Sequence, residues 1–199
     1  MVNKKDKKGL VGIGALIVFI SIIVISIISA GVLINVTGMI EGQTYKTAER
    51  ATDSVSKGLR IKGVTGTADE NGEYLSEIQI LVKKFTGSPG INLETTTIEF
   101  MTSEEIIILK YGENITENTF TVKKVVDDKG GITQLETEVD MSKIIINTEK
   151  IMEEKGDSFK INPNDSFEIS FIPEVGFKTY VDVYAPPTLE DNNQYRIRV

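Results

Sequence analysis

The chain has 199 residues, a net charge of −7, and neither cysteine nor histidine. Without those two residue types there is no disulfide framework, thiol nucleophile, Ser-His-Asp triad, histidine base or common zinc site. The acidic balance argues against nucleic acid as a partner, because phosphate binding needs Lys and Arg gathered on one face.

Residues 1–9, MVNKKDKKG, hold four Lys and one Asp, a local charge of +3. Subtracting that from −7 leaves the remainder at −10. They resemble the basic front of a targeting signal. Leu10 to Ile40 then runs for 31 positions without a charge. As a helix rising 1.5 Å per residue, that stretch spans about 46 Å, more than the ~30 Å hydrocarbon core of a bilayer. It can cross a membrane, or serve as an apolar rod packed against copies of itself. An ordinary secretory signal has an apolar core of roughly 7 to 15 residues, with its cleavage point behind it. Here the candidate cut lies in front, at Lys8, Gly9 and Leu10, and would leave the apolar segment as the new N-terminus.

A helix that is apolar nearly all round is buried on every side, by lipid or by other helices. Ser21, Ser26, Ser29, Ala30 and Gly31 interrupt it with small residues, and Gly38 and Gly42 form a small-xxx-small pair. Such residues let helix backbones approach closely. A plain signal anchor, in which they are merely tolerated, is the competing reading.

Residues 41–60 stay compatible with helix but become polar. Tyr45, Ala48, Thr52, Val55 and Leu59 recur at spacings of three and four, and Gly58 is a helix stop. From Ile61 the texture is that of strands. The predicted segments are Tyr74 to Phe85, Leu93 to Met101, Ile106 to Tyr111, Thr119 to Val126, Ser166 to Ile172 and Thr179 to Tyr184. Turn signals rich in Gly, Pro, Asn and Asp separate them. Residues 133–156 read as a strand followed by a short helix or loop. The fold class expected is α+β: a long N-terminal hydrophobic helix followed by an all-β, Ig-like sandwich. The divisions are a basic prepeptide (1–9), a helix (10–60, with assembly core 10–40 and amphipathic stalk 41–60) and an outer β domain (61–199).

A family resemblance enters at the junction of the first two divisions. Lys8-Gly9-Leu10, then Gly12-Ile13-Gly14, then Leu16-Ile17-Val18-Phe19-Ile20, resembles the class III signal peptide of the archaeal flagellins, or archaellins, within the type IV pilin-like superfamily. Bacterial pilins share the plan but usually carry Phe at the first mature position and Glu at the fifth. Leu10 and Gly14 stand there in this chain. Ile161-Asn162-Pro163-Asn164-Asp165-Ser166-Phe167, Ile172-Pro173-Glu174-Val175-Gly176 and Ala185-Pro186-Pro187 resemble, more loosely, the close of archaellin domains. The resemblance implies a structural filament subunit of the archaellum that acts in swimming motility, and no enzyme. It implies cutting after Gly9 by a prearchaellin peptidase and a membrane-held precursor before assembly. It further implies polymerisation with itself or other archaellins, through a helix carrying Gly12, Gly14, Phe19, Ser26, Gly31 and Gly38, and a rotary motor at the filament base. The alternatives are an adhesion pilin with the same processing, and a surface binding module on an uncut anchor.

Asn114-Ile115-Thr116 and Asn164-Asp165-Ser166 match the N-glycosylation sequon and also read as turns. Asn35-Val36-Thr37 matches too, but a glycan there would block helix packing. The acidic turns Asp69 to Glu73 and Asp127-Asp128 could offer oxygen ligands to Ca²⁺ but lack EF-hand spacing, so they read as solvated carboxylates. Glu104-Glu105 and Glu153-Glu154 read as surface charge rather than a glycosidase pair. No metal or cofactor is expected.

Overall fold

The computed structural model describes residues 4–126, 131–191 and 193–197, with side chains from residue 11 onward. It comprises two compact units, Met1–Glu49 and Arg50–Val199. The first unit is carried by one continuous helix, α1, Lys4–Ser56. No proline occurs in it, so every backbone N–H can enter the i→i−4 ladder. The helix stops two residues before the first strand, and Gly58 lies in that gap.

The second unit is β-rich. Its principal strands are β1 (Leu59–Ala68), β2 (Leu75–Lys84), β4 (Thr97–Met101), β5 (Ile106–Tyr111) and β6 (Thr119–Val126). They continue with β8 (Met141–Asn147), β9 (Ser166–Ile172), β10 (Thr179–Tyr184) and β11 (Gln194–Ile197). A separate short pair joins β3 (Ile91–Asn92) to β7 (Gln134–Leu135). The nine principal strands form one sheet in the order β10-β9-β4-β5-β6-β8-β2-β1-β11.

That sheet consists of two antiparallel layers. One is β10-β9-β4-β5 and the other is β6-β8-β2-β1-β11. A short parallel step joins them, with Lys110 opposite Thr119 and Tyr111 opposite Phe120. At the far side the Thr179 hydroxyl on β10 donates to the Leu59 carbonyl on β1 at 3.1 Å, so the sheet nearly closes on itself. The expected α+β plan therefore holds, and the two sheet layers are continuous through one step.

Alternation explains which face is buried. Phe167, Ile169 and Phe171 on β9, Ile98 and Phe100 on β4, and Val181 and Val183 on β10 point inward and are buried. They meet Val64, Ile78, Ile80, Val82, Phe120, Ile144 and Ile146 from the other layer. Phe100 is fully buried between Phe159 and Phe167, with ring centroids 6.4 and 5.5 Å away. One departure from alternation is Ser170. It points away from the core yet is only 1% exposed, because Tyr180 and Glu99 flank it on the adjacent strands.

Residues 133–156 resolve into β7, β8 and a helix, α2 (Thr148–Lys155). Asn147 caps α2 by accepting from the Lys150 N–H at 2.8 Å, and Gly156, at φ 98°, ends it. The two stretches quoted for the C-terminal resemblance meet in space. The Asn164 N–H donates to the Pro186 carbonyl at 3.2 Å, and the Ala185 N–H donates to the Asp165 carbonyl at 2.8 Å.

Candidate assembly site

The site begins with what the helix leaves uncovered. Nineteen large apolar side chains between Val11 and Ile40 are 43% to 73% exposed, and they face every direction around α1. The segment is long and apolar enough to cross a membrane, and an 18-residue stretch of the helix has a mean hydropathy of 3.0. Phe19 is its one aromatic side chain and is 64% exposed.

The hydroxyls in this stretch are internally satisfied. The hydroxyls of Ser21, Ser26 and Ser29 donate to the carbonyls of Ile17, Ile22 and Ile25 at 2.8, 2.7 and 2.8 Å. Thr37, Thr44 and Thr47 do the same, each reaching four residues back at 2.8 Å. A hydroxyl that is already paired loses far less on leaving water than a free one. These hydroxyls can thus be buried without stranding a donor. Composition alone did not reveal this. The sequence showed Ser only as a small residue, although Ser and Thr inside a helix are known to bond back to the preceding turn.

The glycines add a second feature. A Cβ built at Gly12, Gly14, Gly31, Gly38 or Gly42 would meet nothing within 4 Å. Packing within the chain therefore does not require them, while each costs the helix about 1 kcal/mol relative to alanine. Gly31, Gly38 and Gly42 are seven and eleven residues apart, which places them on one face of α1.

Lys8, Gly9 and Leu10 lie within the helical backbone of α1, and their side chains fall outside the described residues. Asn114 and Asn164 are both exposed, on different loops. Asn164 adopts a left-handed φ of 68°, a conformation that asparagine tolerates better than most residues. Asn35 sits on the exposed apolar helix.

The acidic turns differ from one another. Asp69 is only 7% exposed, and its carboxylate accepts from the backbone N–H groups of Asn71, Glu73 and Tyr74 at 3.2, 2.6 and 3.1 Å. Burial raises its pKa, but these backbone donors outweigh that and leave it below the ordinary Asp value. It is a structural clasp rather than a solvated carboxylate. Asp127-Asp128 lies outside the described residues. Glu104-Glu105 sits in the β4–β5 turn and Glu153-Glu154 on α2, all four exposed.

A model of the archaeal-type flagellin family matches residues 9–183. Flagellin B1 of Halobacterium salinarum is 31% identical over 196 residues, covering 96% of each chain. Flagellin B3 of the same organism is 28% identical over 200 residues, covering 98% of each. Among solved structures, the archaeal flagellum of Methanospirillum hungatei strain JF1 aligns with a TM-score of 0.67 at 16% identity, covering 89% of this chain and 98% of that one. The crystal structure of archaeal flagellin FlaB1 from Methanocaldococcus jannaschii aligns at 0.61 and 16%, covering 71% and 96%. The two structural likenesses establish the fold, a long helix followed by a β domain. The family match spans most of the chain, beginning at Gly9, one residue before the apolar segment. The chain belongs to the archaeal-type flagellin family, whose members are structural subunits of the archaellum filament at the cell surface rather than enzymes.

Proposed function

We propose that this subunit enters the filament through residues 10–40 after its chain is cut behind Gly9. Before cutting, the apolar helix holds the precursor in the cell membrane. Lys4, Lys5, Lys7 and Lys8 keep its N-terminus on the cytoplasmic side. Removing residues 1–9 discards that charge and frees the helix to leave the bilayer. Gly9 disfavours helix by about 1 kcal/mol relative to alanine, which eases opening of the turn that a peptidase must reach.

The observation that supports this reading most strongly is the exposed apolar surface of α1. Leaving nineteen half-exposed apolar side chains in water would cost on the order of 20 kcal/mol, by the usual value per buried group. A whole domain is typically stable by only about 5–15 kcal/mol. The helix must therefore be covered at every stage, first by lipid and then by other helices. In the exchange of lipid for protein the hydrophobic effect nearly cancels. Close packing at small residues such as Gly12, Gly14, Ser26, Gly31 and Gly38 then supplies the preference. Heterologous contacts that do not close give an open helical array.

The β domain, residues 61–199, remains outside and presents an acidic surface, with glycans at Asn114 and Asn164. A rotary motor at the filament base turns the assembly as a propeller. The test is a Gly9→Val variant expressed in cells lacking the wild-type gene. It is expected to accumulate as full-length chain in membranes, with no filaments and no spreading in soft agar. Filaments built from uncut Gly9→Val chain would overturn the reading.

A further inference from the structure

The two layers of the β domain carry opposite charge on their outward faces, a pattern hidden until the strands are placed in register. In the layer β6-β8-β2-β1-β11, Lys123 lies opposite Lys143, Arg60 lies opposite Lys83, and Lys62 occupies the bulge beside them. Arg196 on β11 lies opposite Thr65 and extends the face. Glu77 is the one carboxylate within these five strands. Among the described residues, none of these six cations makes an ion pair. Their crowding is felt at Lys62, whose pKa is lowered first by Arg60 and also by Lys83. Such an arrangement is self-repelling in the lone subunit.

The layer β10-β9-β4-β5 is the counterpart. Asp182 lies opposite Glu168, which lies opposite Met101, which lies opposite Ile106. Glu104 and Glu105 border this row in the adjoining turn. Tyr180, Tyr184, Ile106 and Ile108 stand exposed by 54% to 65% on the same face. Glu99 is engaged by Lys178 at 2.7 Å; Glu168 is felt at the same ammonium, but among the described residues neither Glu168 nor Asp182 closes an ion pair.

We infer that the basic outward face of one subunit docks on the acidic, aromatic outward face of a second copy of this chain. Complementary charge on opposite sides of one domain gives a head-to-tail contact that repeats without closing, as a filament requires. The occupant is a second copy because the same chain supplies both halves of the match, and the exposed Tyr and Ile side chains add apolar area beside the charges. This contact rests on the assembly reading above and adds to the helix core a lateral grip between outer domains.

A zero-length carbodiimide crosslinker, which joins a Lys amine to a carboxylate with loss of water, tests it on intact wild-type filaments. Packed sheet layers lie about 10 Å apart, and these side chains point away from one another. A bond between Lys83 or Lys143 and Glu168 or Asp182 must therefore join two subunits. Such bonds, read by mass spectrometry, are the expected result, together with protection of Lys83 and Lys143 from acetylation in filaments. Crosslinked filaments with no bond between the faces, and with both lysines freely acetylated, would overturn the contact and leave the face open to another partner. The quadruple variant K83E/K143E/E168K/D182K keeps the match with its charges exchanged. It is expected to form filaments at near wild-type yield, while K83E/K143E alone falls at least tenfold. Equal yields of the two variants would also overturn it. Wild-type material with no filaments would instead remove the assembly reading, and this contact with it.

Discussion

Gly58→Ala should destabilise the β domain through Phe177. A Cβ on residue 58 would sit 2.0 Å from the Phe177 Cζ, far inside contact distance. The neighbouring backbone is fixed on both sides. The Phe177 N–H donates to the Lys57 carbonyl at 3.0 Å, and the Phe85 N–H donates to the Gly58 carbonyl at 3.0 Å. Gly176 adds to the constraint, with a φ of 137° and no room for a side chain against the Lys57 carbonyl. The ring, 38% exposed and 5.5 Å from Phe85, is the part that can move. Overpacking costs about 1–3 kcal/mol, and expelling the ring also loses an aromatic pair worth about 0.5–1.5 kcal/mol. A loss of about 2 kcal/mol corresponds to a fall in Tm of about 4–8 °C for a unit of this size. Phe177→Ala removes the same ring contacts, so it should cost a similar amount. The double variant should then cost little more than either single change, because alanine at 58 meets nothing once the ring is gone. The assay is thermal unfolding of the detergent-solubilised full chain, followed by near-ultraviolet circular dichroism of its tyrosines. A neutral Gly58→Ala, or full additivity of the two changes, would refute the argument.

Three further outcomes follow from the same geometry. Phe100→Ala, at the fully buried contact with Phe159 and Phe167, should cost about 3–5 kcal/mol in urea unfolding, and a loss below about 1 would contradict the core assignment. Asp69→Ala strips the acceptor from three backbone N–H groups and should cost about 1–3 kcal/mol. Because the folded pKa of Asp69 is lowered, its contribution is complete above the unfolded value of about 3.9 and is lost as pH falls through the folded pKa. The gap between wild type and Asp69→Ala should therefore narrow in acid, and a gap unchanged down to the lowest pH would contradict the clasp. Ser166→Ala and Thr116→Ala each break one sequon without touching the asparagine. Each should lower the intact mass by one glycan, and a mass change equal to the lost side-chain atoms alone (one oxygen for Ser166, a CH2O unit for Thr116) would mean that site is unmodified.

The long helix was plain in the sequence because its signal is collective. Thirty-one positions without a charge do not depend on any single residue. Strands β9 and β10 were equally legible, since Phe167, Ile169 and Phe171, and Val181 and Val183, alternate cleanly with polar neighbours. Strand β1 is not legible in the sequence. Gly63 and Gly66 lower its strand propensity, and the bulge between Ile61 and Gly63 breaks the period of two. Lys84 was misleading in another way. It points inward at the end of β2 and gives its ammonium to the Ser88 carbonyl at 2.5 Å, so a charged residue occupies a core position. Asp69 looked like any turn carboxylate, because nothing local to the sequence tells a clasp from a solvated acid. The charged faces of the two layers were invisible for a topological reason. Lys83, Lys123 and Lys143 become neighbours only when β2, β8 and β6 pair, and no window along the chain contains all three.

The most direct measurement is the N-terminal residue and intact mass of this chain in filaments sheared from cells. A mature chain starting at Leu10, found in the filament fraction, is the result that cutting and helix-driven assembly predict. A chain starting at Met1 or Val2, found only with membranes, would contradict them.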